Sequence, residues 1–222
     1  MSKFRVRYQT FEIDDLDIHV RSLRDRQQFS DDENIAKNLG ISSAQWPLFG
    51  IVWSSGEVLA RLMARQDIVG KRILEVGCGV GLASLVLNQR SADISATDYH
   101  PEVESFLKIN ASLNSGDEIP FEQSDWNDLD TSLGKFDLII GSDLLYEVEH
   151  IELLSQFIEL HAKPECEVIV VDPGRGNHAK FSNAMVKLGF QHSQRKLDEE
   201  EQSHTSFKGR VLNYIRCKPL SG

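Results

Sequence analysis

The chain has 222 residues, 41% hydrophobic and 26% charged, with a formal net charge of −10. That is enough apolar content for one α/β domain with its own core. No apolar run approaches the ~20 residues of a membrane helix, and the acidic balance argues against a nucleic-acid backbone as partner, since phosphate contact needs Lys and Arg. Cys78, Cys166 and Cys217 are odd in number, far apart and each inside an apolar pattern, so they read as buried free thiols, with no disulfide and no metal site. The opening M-S-K-F-R-V-R-Y-Q-T-F alternates instead of forming a signal-peptide core, so a cytoplasmic protein is expected; a monomer is expected as well.

Phe4–Ile13 and Asp17–Leu23 alternate apolar and polar residues and predict a β-hairpin or a pair of edge strands, followed by a charged surface loop over Arg24–Asn34. We expect residues 1–45 to form an N-terminal β extension and residues 46–222 the main domain. The next block, Ile41–Arg65, contains W-P-L-F-G-I-V-W-S-S-G-E. Ser54 and Glu57 have capping-box spacing, and Val58, Leu59, Leu62 and Met63 continue with helical periodicity, so a helix should begin just after Trp53. Trp46 reads as a core plug. Trp53, beside a helix N-terminus, fits either a plug or a pocket wall.

Ile73, Leu74 and Val76 form a short buried strand that stops at Gly77. Gly79 and Gly81 follow at alternate positions, and a helical pattern opens at Leu82. Strand, glycine turn and helix are the opening unit of a Rossmann-like doubly wound sheet. A dinucleotide site reads G-x-G-x-x-G; here the third glycine comes one residue early, and Glu75 stands two residues before the first. A carboxylate there would repel a pyrophosphate and suit a positively charged ligand.

Strand two, Ala92–Ala96, leads into Asp98-Tyr99-His100-Pro101. Asp98 lies about 20 residues beyond the glycines, where this fold places an acid on ribose hydroxyls. A helix from Pro101 to about Asn114 and a strand over Pro120–Ser124 precede Asp125-Trp126, whose indole could lie beside an adenine or simply cover the core edge. Strand Phe136–Ile140 ends in Gly141-Ser142-Asp143-Leu144-Leu145-Tyr146, which should face the same crevice as Gly77. A helix over His150–Leu160, a strand over Val168–Val171 ending in D-P-G-R-G and a helix over Ala179–Leu188 follow. Phe190–Leu197 and Val211–Cys217 then predict an antiparallel pair, joined through Asp198–Gln202 as a solvated turn. The whole predicts a mostly parallel seven-stranded sheet with one antiparallel strand.

In order along the chain stand Trp53, E-x-G-x-G-x-G (Glu75 to Gly81), Asp98, Asp125-Trp126 and D-x-x-Y (Asp143 to Tyr146). Together they resemble the class I, seven-strand methyltransferases over Ile41–Cys217, and within them the branch of protein-lysine methyltransferases and nicotinamide N-methyltransferase relatives. D-P-G-R, Asp172 to Arg175, is similar to bacterial members grouped with the electron-transfer-flavoprotein lysine methyltransferases, although W-P-L-F-G-I-V-W is longer than the V/A-W-P of those relatives. The resemblance implies S-adenosylmethionine as cofactor, held by Trp53, Glu75, Gly77, Cys78, Gly79, Gly81, Asp98, Tyr99, Asp125, Trp126 and Ser142. It implies Asp143 and Tyr146 as catalytic residues on the acceptor side.

The implied reaction is methyl transfer to an amine nitrogen, with a protein lysine as the first acceptor considered and a small amine as the second. Asp143 would orient the amine through a hydrogen bond and could also cap a helix, while Tyr146 and Trp53 would exclude water. An NAD-dependent oxidoreductase and a non-catalytic nucleoside-binding protein are the readings from other classes.

Overall fold

The computed structural model of the chain describes residues 4–31 and 34–217. Residues 1–3, 32–33 and 218–222, which belong to the expected extension, its loop and the chain end, lie outside the described residues. Strands β1 (Val6–Ile13) and β2 (Leu16–Leu23) form the expected antiparallel hairpin, turning at Asp14, whose φ is 51°. A short helix α1 (Ile35–Asn38) and a 3-10 helix (Trp46–Gly50) lead into α2 (Ser54–Arg65). Then come β3 (Arg72–Val76), α3 (Leu82–Gln89), β4 (Asp93–Asp98), α4 (Val103–Leu113), β5 (Phe121–Gln123), β6 (Phe136–Ser142) and α5 (His150–His161). The chain closes with β7 (Ala162–Asp172), α6 (His178–Lys187), β8 (Gln191–Arg195), α7 (Glu199–Ser203) and β9 (Arg210–Arg216).

The main sheet has seven strands in the order β5-β4-β3-β6-β7-β9-β8, all parallel except β9, which runs antiparallel to both neighbours. This is the doubly wound arrangement expected from the sequence. Strand parity sends side chains to two separate cores. Ile73, Leu138, Ile140, Ile169 and Val171 point into the layer of α2, α3, α4 and the hairpin. Leu74, Val76, Ile139, Val168 and Val170 point toward α5 and α6. Strands buried on both faces read as continuous apolar runs, which is why they stand out in the sequence. The winding reverses between β3 and β6, so a crevice opens above their carboxyl ends.

The hairpin is fastened to the domain through its backbone. Asn110 Oδ1 accepts from Arg21 N at 2.7 Å, and its Nδ2 donates to Arg21 O and Val80 O. One turn further, at the cap residue just past α4, Asn114 Oδ1 accepts from His19 N at 2.8 Å and its Nδ2 donates back to His19 O. Helix positions i and i+4 are about 6 Å apart, close to the spacing of strand positions i and i+2. Two amide side chains therefore stand in for a third strand on the outer edge of β2, leaving its polar groups paired. Arg65 adds a bidentate ion pair to Asp14 at the hairpin turn.

Several expectations need correction. Asp198–Gln202 is not a solvated turn. Asp198 caps α7, its carboxylate accepting from Glu201 N at 2.9 Å while Glu201 accepts from Asp198 N. The Ser54–Glu57 capping box does not form: Trp53 is the N-cap of α2, and no side chain caps it. β7 begins at Ala162, six residues before the expected start, because α5 passes into it without a loop. Cys78 and Cys166 are buried free thiols, but Cys217 is exposed at the end of β9. Among the described residues no helix is long and apolar enough to cross a membrane.

Candidate active site

The turn after β3 sets the site. Gly77, Gly79 and Gly81 have φ of 62°, 53° and 76°, left-handed values that side chains rarely adopt. At Gly79 the space is closed as well: a Cβ would lie 2.8 Å from Phe49 O in the 3-10 helix. The turn is held from below by Asp98, at the end of β4. Its Oδ2 accepts from Gly79 N and its Oδ1 from His100 N, both at 2.9 Å. Burial pushes the Asp98 carboxyl above its usual range.

Glu75 differs most from its sequence reading. It is 4% exposed, and its Oε2 accepts from Ser84 N at 2.9 Å and from Ser84 Oγ. Ser84 is the third residue of α3, so the carboxylate caps that helix from the neighbouring strand, near the positive end of its dipole. Glu75 still lines the cavity above, and burial raises its pKa to about 7. A native pKa above the unfolded value near 4.5 favours folding fully below pH 4.5, and this contribution is lost as pH rises through 7. The span corresponds to on the order of 3 kcal/mol. Glu75→Gln keeps the contacts to Ser84 without the charge. Its melting temperature, scanned against pH, should rise relative to wild type between pH 4.5 and 7 and stay level above. A difference independent of pH would mean that the carboxyl is not titrating in this window.

Above the turn lies a cavity of about 590 Å³. It gathers the expected residues except Gly81: Trp53, Glu75, Gly77, Cys78, Gly79, Asp98, Tyr99, Asp125, Trp126, Ser142, Asp143 and Tyr146 line it, whereas Gly81 is not in the lining and closes the turn, its N–H donating to Cys78 O. Trp53 donates its indole N–H to Leu48 O at 3.1 Å, and Arg26 lies over its ring. Trp126 and Tyr146 both meet the His150 imidazole edge-on, with centroids 5.7 and 6.0 Å away. Burial raises the Tyr99 phenol to about 12 and that of Tyr146 further, so both stay protonated at neutral pH. Asp125 Oδ1 accepts from Asn127 N and shapes the loop after β5.

Asp143 follows β6 with φ 56°. It does not cap α5, which starts seven residues later at His150 with Glu149 as N-cap. Both its carboxylate oxygens instead accept from Arg175, with Nε–Oδ1 2.6 Å and Nη2–Oδ2 2.7 Å. Arg175 stands within D-P-G-R, and nothing in its local sequence marks it for a role. The same holds for Phe49 and His100, which line the cavity and whose rings stack at 4.0 Å. Burial lowers the His100 pKa to about 3, so that ring is a neutral packing element.

A family model described as lysine methyltransferase matches residues 36–187. The chain belongs to that family. Its matched region holds the glycine turn, Asp98, Trp126, Asp143 and Arg175, while the hairpin and β8–β9 lie outside it. The electron transfer flavoprotein beta subunit lysine methyltransferase of Xenopus laevis is 28% identical over 63% of this chain and 56% of its own length. The calmodulin-lysine N-methyltransferase of Arabidopsis thaliana is 31% identical over 62% of this chain and 49% of its own. The chain thus spans about half the length of the curated relatives it matches. Among solved structures, magnesium protoporphyrin IX methyltransferase from Synechocystis PCC 6803 superposes with a TM-score of 0.58 at 21% identity. That match covers 87% of this chain and 89% of the other, and it shows a shared fold.

Proposed function

We propose that this lysine methyltransferase family member transfers a methyl group from S-adenosylmethionine to a lysine side chain of a protein. One observation carries the reading of the cavity. Its described lining contains five carboxyl side chains, Glu75, Asp98, Asp125, Asp143 and Glu147, against a single Lys or Arg, and that residue is already paired with Asp143. A pyrophosphate would find no free cation among the described lining residues, which argues against a nicotinamide dinucleotide. A ligand with an ammonium and a sulfonium suits the field. The left-handed glycine turn lets that ligand lie against backbone, and Asp98, a carboxylate beside that turn with roughly four acceptor sites, suits ribose hydroxyls. The family and its named relatives favour a protein lysine as acceptor. So does the cavity rim: Leu39, Leu48 and Tyr146 line it and are each at least 40% exposed, so its wall continues onto the protein surface.

When bound, S-adenosylmethionine supplies a methyl group activated by its sulfonium sulfur. The remaining work falls on alignment and on the amine. Holding the two reactants in line is worth ~7–11 kcal/mol in well-oriented systems. A lysine amine, with a reference pKa about 10.4, costs roughly 4–5 kcal/mol to deprotonate near pH 7. Tyr146 and Trp53 exclude water on the acceptor side and favour the neutral amine, which Asp143 orients by accepting a hydrogen bond from its N–H.

Incubation with methyl-tritiated S-adenosylmethionine and a cell extract should place label on protein, recovered as methyllysine after hydrolysis. Label confined to small molecules, or none at all, would overturn the acceptor assignment.

A further inference from the structure

Among the described residues that line the cavity, Arg175 is the one Lys or Arg. Its guanidinium meets Asp143 side-on at 2.6 and 2.7 Å, with the Arg175 side chain 44% exposed and that of Asp143 only 12%. Gly174 and Gly176 flank it with φ of 96° and 89°, so the arch that delivers it is set by the backbone.

The pair resolves a conflict in the proposed chemistry. The acceptor nitrogen attacks only as a neutral amine, yet an unpaired carboxylate beside it would stabilise the ammonium and raise its pKa. Methylation needs a hydrogen-bond acceptor at that point without its negative charge. A guanidinium, protonated at every pH at which proteins fold, cancels the charge and takes two of the carboxylate's roughly four acceptor sites, leaving the rest for an amine N–H. The groups around the pair do not undo this. Asp172, at the end of β7, is wholly buried; its Oδ2 accepts from Gly174 N, it faces His178, and burial pushes its carboxyl up toward the neutral form. Tyr146, on the other side, keeps its phenol proton. The further carboxyls, Glu75, Asp98, Asp125 and Glu147, belong to the β3, β4, β5 and β6 loop ends and share the cavity with His150, whose Nε2 lies 3.3 Å from Glu147 Oε2.

We infer that Arg175 is a positioning residue that acts through Asp143, cancelling its charge so that the site selects the neutral form of the acceptor amine. This rests on the reading of the cavity as a lysine methyltransferase site. The test uses n-butylamine, a lysine side-chain analogue, titrated by calorimetry into protein saturated with S-adenosylhomocysteine between pH 7.5 and 10.

Wild type should bind about tenfold more tightly for each pH unit, following the neutral fraction of an amine with pKa about 10.4. Arg175→Met and Arg175→Gln, which bare the Asp143 charge, should bind the ammonium with little pH dependence over this range. Arg175→Lys should keep the wild-type slope, and the double variant Asp143→Asn/Arg175→Met should recover it. Equal slopes in wild type and both uncharged variants overturn the inference, as does wild type that binds S-adenosylhomocysteine but no butylamine. Failure of S-adenosylhomocysteine itself to bind wild type would instead remove the functional reading beneath it. Retained S-adenosylhomocysteine affinity in each variant reports an intact fold.

Discussion

Asp143→Ala is expected to lower kcat by about a thousandfold or more while S-adenosylhomocysteine affinity stays within about threefold of wild type. Two effects add. A hydrogen bond to a charged group contributes roughly 1.5–3 kcal/mol, and an amine that loses its anchor drifts from the line of attack, where ~1 Å can cost a hundredfold. The variant also leaves Arg175 without its partner, so an unopposed cation faces the incoming lysine. Cofactor binding is spared because Asp143 shares no hydrogen bond with the glycine turn; its backbone N–H goes to Val171 O. Asp143→Asn isolates the charge from the fold. Asparagine tolerates the left-handed φ of 56° and can accept one bond from Arg175, so its structural cost is smaller than that of alanine. Single-turnover rates with a labelled protein acceptor would check both variants. Full activity in either removes Asp143 from the acceptor site.

What could be read from sequence follows from the range over which each interaction acts. The strand–glycine–helix unit was legible because each signal is local: an apolar run stops, backbone needs φ above zero, and a helical period starts within a few residues. The placing of Asp98, Trp126, Ser142, Asp143 and Tyr146 followed from the rule that strand ends face one crevice. What was missed depends on partners far along the chain. Arg175 and Asp143 are 32 positions apart, Asn114 and His19 95. No spacing rule connects such pairs.

Two segments show a limit even for local rules. Ser54-x-x-Glu57 and Asp198-x-x-Glu201 satisfy the same capping pattern, and only the second forms it. At the first, Trp53 is held extended (φ −90°, ψ 149°) with its indole bonded to Leu48 O, and Glu57 N bonds to Trp53 O. Tertiary anchoring of that tryptophan fixes where α2 begins, so Ser54 falls inside the helix. Glu75 repeats the theme: a carboxylate read as a ligand contact is committed first to Ser84, nine residues on, in the helix it caps.

Asp98 is where structural and ligand roles meet, and its variants should separate them. Asp98→Ala leaves the N–H groups of Gly79 and His100 without acceptors. A buried unpaired donor costs about 1–3 kcal/mol, and in a chain of this size each kcal/mol lowers the melting temperature by roughly 2–4 °C, so a loss of about 5–20 °C is expected. Cofactor affinity should fall at least about a hundredfold, since the turn loosens and the ribose loses its acceptor together. The informative variant is Asp98→Asn. If the carboxylate served only ribose hydroxyls, an amide could replace much of it, because it both donates and accepts. In this structure one amide arm must instead face an N–H of Gly79 or His100, donor against donor, so Asn should behave nearly as badly as Ala. Calorimetric titration with S-adenosylhomocysteine, read beside thermal unfolding of the unliganded protein, distinguishes the cases. Asp98→Asn with wild-type melting and weakened binding would assign Asp98 to the ligand alone, whereas the hydrogen bonds to Gly79 and His100 require both to fall.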